Sequence, residues 1–144
     1  MIRRAEVTDA AAAAKLAVKM WTSHAAEELA QEFETLIRSP ECAVFLALEN
    51  GEAIGFAQCQ LRHDYVEGTQ SSPVGYLEGI YVEPAYRKRG IAKALLAACE
   101  DWAREMGCAE FASDCELDNK QSLAFHLSLG FEEMNRVICF AKRL

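Results

Sequence analysis

The sequence lacks the features that mark membrane-spanning, secreted and metal-binding proteins. No apolar run approaches the roughly 18 residues that a membrane-spanning helix needs, and the N-terminus lacks the apolar stretch of a signal peptide. None of the 6 cysteines belongs to a CxxC pair or has a histidine at ligand spacing. We therefore expect a cytoplasmic protein that holds no metal and keeps its cysteines reduced in the core, with Cys115 as the one cysteine near a site.

An excess of positive charge is also missing. The formal net charge is −7, which argues against nucleic acid as a partner and favours a cationic ligand. The 144 residues, 51% of them hydrophobic, contain no internal repeat, low-complexity tract or linker. Residues 1–144 are therefore expected to form a single domain whose hydrophobic core needs neither metals nor disulfides.

Hydrophobic patterning predicts an α+β fold with a largely antiparallel sheet and one parallel junction, in the order β-α-α-β-β-β-α-β-α-β. Asn50-Gly51 is expected to be the turn of a hairpin. Strands are expected at residues 2–5, 43–49, 53–62, 74–82 and 110–114, with one or two more at 131–142. Helices are expected after Thr8, which can cap the first of them, and at 25–38, 91–106 and 119–129.

Two glycines stand at positions that indicate function. Gly79 interrupts the strand at 74–82, and a glycine inside a strand often marks a bulge or a close backbone approach. Gly90 ends the basic loop Arg87-Lys88-Arg89-Gly90, directly before the helix at 91–106. Because a helix N-terminus presents unpaired N–H groups to anions, this loop predicts a pyrophosphate site, although alone it is equally compatible with a solvated turn.

Over essentially its whole length the chain resembles the GNAT N-acetyltransferase superfamily. The pattern consists of Arg87-x-x-Gly90-x-Ala92, the preceding Leu77-Glu78-Gly79-Ile80-Tyr81-Val82-x-Pro84, and the later Asn119 and Leu129-Gly130-Phe131. The resemblance implies acetyl-CoA in a V-shaped gap between the parallel strands at 74–82 and 110–114, with its pantetheine arm paired like an added strand. A bulge near Gly79 would free a backbone N–H to stabilise the oxyanion of the tetrahedral intermediate that forms during acetyl transfer. The implied cofactor-binding residues are Ile80, Tyr81, Val82, Arg87, Lys88, Arg89, Gly90, Ile91, Ala92, Lys93 and Asn119.

Finer details resemble one subgroup, the aminoglycoside 6'-N-acetyltransferases, which acetylate the 6'-amine of kanamycin- or tobramycin-like antibiotics. Enzymes of this subgroup are commonly homodimers, and the apolar segment 137–141 could join a partner's sheet as a strand. The details are Trp21 and His24, Arg62-His63-Asp64-Tyr65, Ser71-Ser72-Pro73, Leu77-Glu78-Gly79-Ile80 and Ala112-Ser113-Asp114. The implied substrate-binding residues are Trp21, His24, Tyr65, Glu78, Asp114 and Asn135, the last standing where the resemblance leads us to expect an acid.

Such a flexible polycation needs carboxylates for its ammonium groups and aromatic surfaces for its sugar rings. Glu78, Asp114 and the acidic stretch 116–118 supply the first, and Trp21 and Tyr65, with His24, the second. Each residue has a structural alternative. Trp21 could be core, Tyr65 a plain loop residue, Glu78 structural, and Asp114 the cap of the following turn.

The acceptor amine must lose a proton before it attacks, so a base is required. Glu78 is the first candidate and Asp114 the second, with direct attack in a ternary complex and no acetyl-enzyme, because Cys115 lacks a His–carboxylate relay. His126 stands where many members of the superfamily place an acidic tyrosine. It is therefore a candidate acid, or else a packed helical histidine.

Two other classes of function remain open from the sequence. A GNAT enzyme could acetylate a polyamine, an amino sugar or a protein N-terminus. A non-enzymatic acetyl-CoA-binding regulatory module would keep the Arg87–Ala92 loop but lack acids in the acceptor site, and the presence of both Glu78 and Asp114 weighs against it.

Overall fold

The computed structural model describes residues 1–144 and contains five strands and four helices. Two short 3-10 turns, Val7–Asp9 and Pro84–Tyr86, precede the first and third helices. No helix has the length and apolarity needed to cross a bilayer. The strands are β1 (Ile2–Arg4), β2 (Cys42–Glu49), β3 (Glu52–Arg62), β4 (Val74–Val82) and β5 (Phe111–Ala112), and the helices are α1 (Ala10–Ala17), α2 (Ala26–Arg38), α3 (Ile91–Glu105) and α4 (Lys120–Ser128).

The strands form one sheet in the order β1-β2-β3-β4-β5, antiparallel except for the parallel pair β4–β5. The predicted α+β class with one parallel junction is therefore confirmed. The β2–β3 hairpin turns at Asn50 and Gly51, whose φ angles of 52° and 80° are both positive. Such angles match the right-handed twist of the strands in a two-residue hairpin.

Each face of the sheet carries its own hydrophobic core. Helix α3 packs on one face through its predicted stripe, with Leu95 and Cys99 fully buried. Helices α1 and α2 cover the other face, where the rings of Phe33 and Phe56 meet edge to face with centroids 5.7 Å apart. The sheet is thereby held between helices, and the ends of β4 and β5 are left accessible.

Helix α1 does not begin as predicted, because Thr8 does not cap it. Thr8 lies inside the 3-10 turn Val7–Asp9, and α1 starts at Ala10. The Asp9 carboxylate accepts a hydrogen bond of 2.7 Å from the Glu6 N–H and two from the Arg3 guanidinium at 2.7 and 2.9 Å. An ion pair to β1 therefore sets the start of this segment.

The predicted strands at 131–142 are wrong, and β5 is shorter than the predicted 110–114. No strand forms after α4, and the side chains of Val137, Ile138 and Phe140 are 65%, 76% and 91% exposed. A strand exists only where a neighbouring backbone pairs with it, and no element of this chain pairs with residues 131–144. We call residues 131–144 the C-terminal arm. Cys139 lies on it and is exposed, as is Cys115, so only four of the cysteines are buried.

Candidate active site

Strands β4 and β5 separate soon after they meet. Their parallel pairing consists of Gly75 opposite Phe111 and Tyr76 opposite Ala112, and it ends there. Strand β4 continues to Val82, paired only with β3 on its other side. The main chain of β4 from Leu77 onward therefore has an open edge, to which an extended ligand can add as a strand does. We call this opening the fork.

The basic loop lies at the far end of β4 and leads into α3. Gly90 is the N-cap residue of α3 with φ 78°, Lys88 has φ 63°, and no side chain caps the helix. The first turn of α3 contains no acidic residue, and no carboxylate pairs with Arg87, Lys88 or Arg89. Open N–H donors, the helix dipole and unpaired cations all favour an anion at this position.

Two arginines of the loop hold its shape. The Nε of Arg87 donates to the carbonyl of Val82 at 2.8 Å, and Nη2 of Arg89 donates to the carbonyl of Ala85 at 3.3 Å. Their guanidinium carbons lie 5.4 Å and 5.2 Å from the ring centroids of Tyr81 and Tyr86. The loop is thus fastened to the end of β4, so its cations stay beside the helix terminus.

The predicted cofactor residues form two groups, as the sequence suggests. Asn119 has a structural role as well. Residues 80–82 belong to the open edge of β4, and residues 87–93 surround the start of α3. The Asn119 side chain caps α4 by accepting a hydrogen bond of 3.0 Å from the Ser122 N–H. Its NH₂ group makes no hydrogen bond within the protein and is open to a ligand, and the contact with the pantetheine arm stays a prediction.

The predicted acceptor residues line two separate cavities instead of one. A cavity of ≈ 480 Å³, which we call the α2 pocket, contains Trp21, His24 and Glu78. A larger one of ≈ 820 Å³, which we call the fork cleft, contains the remaining predicted residues Tyr65, Asp114 and Asn135, together with His126 and Cys115. The complete lining of the α2 pocket is Trp21, His24, Leu29, Glu32, Thr35, Leu36, Gln58 and Glu78.

Glu78 sits at the predicted bulge of β4. Gln58 of β3 pairs with Gly79 and Cys59 pairs with Leu77, so the register skips Glu78. The Glu78 Oε1 atom accepts hydrogen bonds from Arg62 Nη2 at 2.8 Å and Nε at 3.2 Å. The bulge re-aims this side chain, and an arginine balances its charge.

Arg62 also connects the two cavities. Its guanidinium carbon lies 3.5 Å from the ring centroid of Tyr76, and the Tyr76 hydroxyl donates to Asp114 Oδ2. Burial, followed by the hydrogen bond to Asp114, raises the pKa of Tyr76. The structure therefore joins both predicted carboxylates through two residues to which the sequence analysis assigned no role. Tyr76 lies two residues before Glu78 on β4, and residues two apart in a strand share a face of the sheet. This spacing is the signal that could have pointed to Tyr76 as a neighbour of Glu78.

Gly79 allows Trp21 to approach the sheet. A Cβ atom at Gly79 would lie 2.7 Å from Trp21 Cζ2, far inside van der Waals contact. The indole also packs edge to face on Phe56, with centroids 6.1 Å apart. Trp21 is thus partly core and partly pocket wall, and both predicted reasons for the glycine, a bulge and a close approach, are observed.

The remaining predicted acceptor residues are peripheral. His24 is exposed, and its Nδ1 lies 2.7 Å from Glu28 Oε1, a hydrogen bond that raises the histidine's pKa. Tyr65 is 75% exposed, and Asn135 donates from Nδ2 to Glu67 Oε1 at 3.0 Å. All three are exposed side chains that line one or the other cavity.

His126 points into the fork and is hydrogen-bonded through both ring nitrogens. Its Nδ1 lies 2.7 Å from the Ser122 carbonyl, which only accepts, so Nδ1 carries the proton. Its Nε2 lies 2.8 Å from the Ser113 hydroxyl, which is also 3.3 Å from the Leu77 carbonyl of β4. Ser113, another residue to which the sequence analysis assigned no role, therefore bridges the histidine to the point where the strands part.

An open strand edge that ends at an uncapped helix N-terminus, with acid-lined cavities beside it, suits a phosphorylated ligand along the edge and a cationic one in the cavities. The acetyltransferase (GNAT) family matches residues 10–131. The chain belongs to this family.

Its relatives are matched over nearly their whole lengths. An aminoglycoside N(6')-acetyltransferase type 1 from Stenotrophomonas maltophilia is 47% identical over 140 residues, covering 96% of this chain and 90% of that protein. A structure of AAC(6')-Iy in complex with the bisubstrate analogue CoA-S-monomethyl-acetylneamine is 42% identical with TM-score 0.94, covering 100% and 98% of the two chains. The apo structure of AAC(6')-IG from Acinetobacter haemolyticus is 40% identical with TM-score 0.94, covering 100% and 99%.

The Tyr76–Asp114 hydrogen bond predicts a pH-dependent effect on stability. Tyr76→Phe should lower the free energy of unfolding by about 1 kcal/mol, because it removes a donor from a carboxylate. Since the folded-state pKa of Tyr76 is raised, this stabilisation is complete below the ordinary tyrosine value of about 10 and is lost as the pH rises above it.

The difference in thermal stability between wild type and Tyr76→Phe should therefore be the same at about pH 7 and about pH 9. It should become smaller at more alkaline pH. Tyr65→Phe, which alters an exposed tyrosine, is the matched control and should change nothing. Equal unfolding of Tyr76→Phe and wild type at neutral pH would contradict the assignment.

Proposed function

We infer that this protein is an aminoglycoside 6'-N-acetyltransferase that transfers the acetyl group of acetyl-CoA to the 6'-amine of an aminoglycoside antibiotic, and thereby confers resistance. The observation that carries this inference is the fork between β4 and β5, with an anion-binding helix terminus at one side and acid-lined cavities at the other. Relatives of 40–47% identity, covering nearly the whole chain, have this activity in their names.

The residues at the fork fit acetyl-CoA. The N–H groups at the start of α3, with Lys88 and Arg89 beside them, suit the pyrophosphate, and the open edge of β4 suits the amides of the pantetheine arm. Bound acetyl-CoA supplies the thioester carbonyl that the amine attacks. The bulge at Glu78 and Gly79 lies beside this position, where a backbone N–H can stabilise the oxygen that gains charge.

Glu78 acts as the base that takes the proton of the 6'-ammonium group, directly or through one water, with Asp114 as the second candidate. Arg62 orients the Glu78 carboxylate by its two hydrogen bonds, and Tyr76 orients Asp114. The Ser113 hydroxyl gives its proton to the departing thiolate and is reprotonated from Nε2 of His126, a step that requires the imidazolium form with a proton on each ring nitrogen. The amine attacks directly in a ternary complex, since Cys115 is exposed and has no histidine–carboxylate relay.

Acetyl-CoA and a reducing environment are found in the cytoplasm, and all six cysteines are unpaired. We therefore place the protein there, as a single domain over residues 1–144.

The C-terminal arm supports a homodimer. Val137, Ile138 and Phe140 are exposed on it, and β5 at the end of the sheet has no strand on its outer side. An unpaired edge and an apolar segment without a partner strand are a ready pair for strand addition between two copies. Because Val137 and Arg136 also line the fork cleft, dimerisation would alter the acceptor site itself.

The assigned substrate is tested by steady-state kinetics with acetyl-CoA and different amines. The value of kcat/KM for kanamycin should exceed that for spermidine or an N-terminal peptide by at least about tenfold, because the acid-lined cavities match an aminated sugar. Mass spectrometry should locate the acetyl group on the 6'-nitrogen. Equal kcat/KM values for kanamycin and spermidine would contradict the assignment.

Replacing the base tests the mechanism. Glu78→Gln should lower kcat by about a hundredfold or more, because the amide cannot accept the proton, while the affinity for CoA measured by calorimetry stays unchanged. Glu105→Gln, an exposed change at the end of α3, is the control and should leave kcat as it is. An unaltered kcat in Glu78→Gln would remove this residue as base.

The arm is tested by light scattering after size-exclusion chromatography. Wild-type protein should elute as a dimer, and the combined changes Val137→Thr, Ile138→Thr and Phe140→Ser should make it monomeric because the apolar contact is lost. Leu117→Thr removes a 66% exposed apolar side chain outside the arm and should leave the dimer intact. A monomeric wild type would refute the dimer.

A further inference from the structure

One buried polar side chain has no partner within the protein. Gln58 on β3 is 7% exposed, and it is the sole polar residue in the core. Its amide makes no hydrogen bond to another residue and lines the α2 pocket, where its neighbours along and across the sheet are Phe56 and Gly79. Because no side-chain nitrogen or oxygen that is sealed from solvent lacks a partner, the unpaired Gln58 amide must open into the pocket, where a ligand can hydrogen-bond it.

The pocket around Gln58 has the composition of a site for an aminated ring. Trp21, Leu29 and Leu36 offer apolar surface, and the carboxylates of Glu32 and Glu78 supply negative charge. Arg62 already pairs with Glu78, whereas no cation pairs with Glu32. The Glu32 carboxylate is therefore free to receive an ammonium group.

Charge is concentrated on this side of α2. A side-chain nitrogen or oxygen of each of His24, Glu28 and Glu32 lies within 4.8 Å of the other two, and all three side chains are exposed. The Gln58 amide, which can both donate and accept, faces this acidic wall from the floor of the pocket. A ligand that bears a hydroxyl group next to an ammonium group can hydrogen-bond the Gln58 amide and pair with the acidic side chains at the same time.

We propose that Gln58 and Glu32 form a subsite for a second amino-substituted ring of the acceptor, next to the ring whose amine reacts at Glu78. Gln58 hydrogen-bonds a ring hydroxyl or amine, Glu32 pairs with an ammonium group, and Trp21 lies against the ring. This subsite rests on the proposed function, and it adds two specificity-determining residues that do not touch the reacting atoms. A ≈ 480 Å³ pocket is large enough for one such ring.

The proposal separates the effect on stability from the effect on binding. Gln58→Met keeps the length of the side chain and removes an amide that has no partner in the protein, so it should not lower the Tm of the free enzyme. The same change should weaken kanamycin binding, measured by calorimetry, by about tenfold and leave the KM for acetyl-CoA unchanged. A purely structural amide would show the reverse, a lower Tm with unaltered binding.

A surface pair provides a second test that does not depend on the core. Glu32→Gln should weaken kanamycin binding by about tenfold, and more at low salt than at high salt. Glu34→Gln, the same change on an exposed part of the same helix outside the pocket, should bind as wild type does.

The two levels of inference fail in different ways. A wild type that acetylates no aminoglycoside refutes the proposed function. A wild type that acetylates kanamycin, with Gln58→Met and Glu32→Gln both binding it normally, refutes the subsite alone. A lowered Tm in Gln58→Met would also overturn it, because the amide would then have been satisfied within the fold.

Discussion

The early separation of β4 and β5 is the constraint on which the rest of this structure depends. Two parallel residue pairs hold the strands together, and beyond them β4 keeps one paired edge and one open edge. An unpaired row of backbone groups is costly unless water or a ligand meets it. The helix α3 begins just past the end of the open edge, so the same opening has hydrogen-bonding groups along its length and, at its end, an uncapped helix N-terminus that favours anions.

Carboxylates beside this opening are held by a short chain of contacts. The bulge turns Glu78 toward Arg62, Arg62 lies over Tyr76, and the Tyr76 hydroxyl fixes Asp114. Each carboxylate therefore has a defined position before a ligand binds. The entropy lost in fixing its orientation is offset during folding and not during binding. The two cavities on either side of Arg62 would divide the proposed acceptor site into two parts, each for a different ring of one molecule.

Local patterns predicted most of the fold correctly. The hairpin at Asn50-Gly51 and helices α2 and α3 follow from turn residues and apolar periodicity within one segment. Errors arose where a distant group decides the outcome. Thr8 does not cap α1, because the ion pair between Arg3 and Asp9 stabilises a 3-10 turn that contains Thr8. The strands expected in the C-terminal arm do not form, because they have no pairing partner within the chain.

By itself the sequence determined the basic loop, the glycine at the start of α3 and the interrupted strand before it, because these features depend on neighbours within a few residues. Only the tertiary structure decided that Arg62 and Tyr76 join Glu78 to Asp114, that Ser113 meets His126, and that the Gln58 amide stays unpaired. These contacts bring together residues from separate strands and helices. Their register depends on one bulge, which no local pattern specifies to the residue.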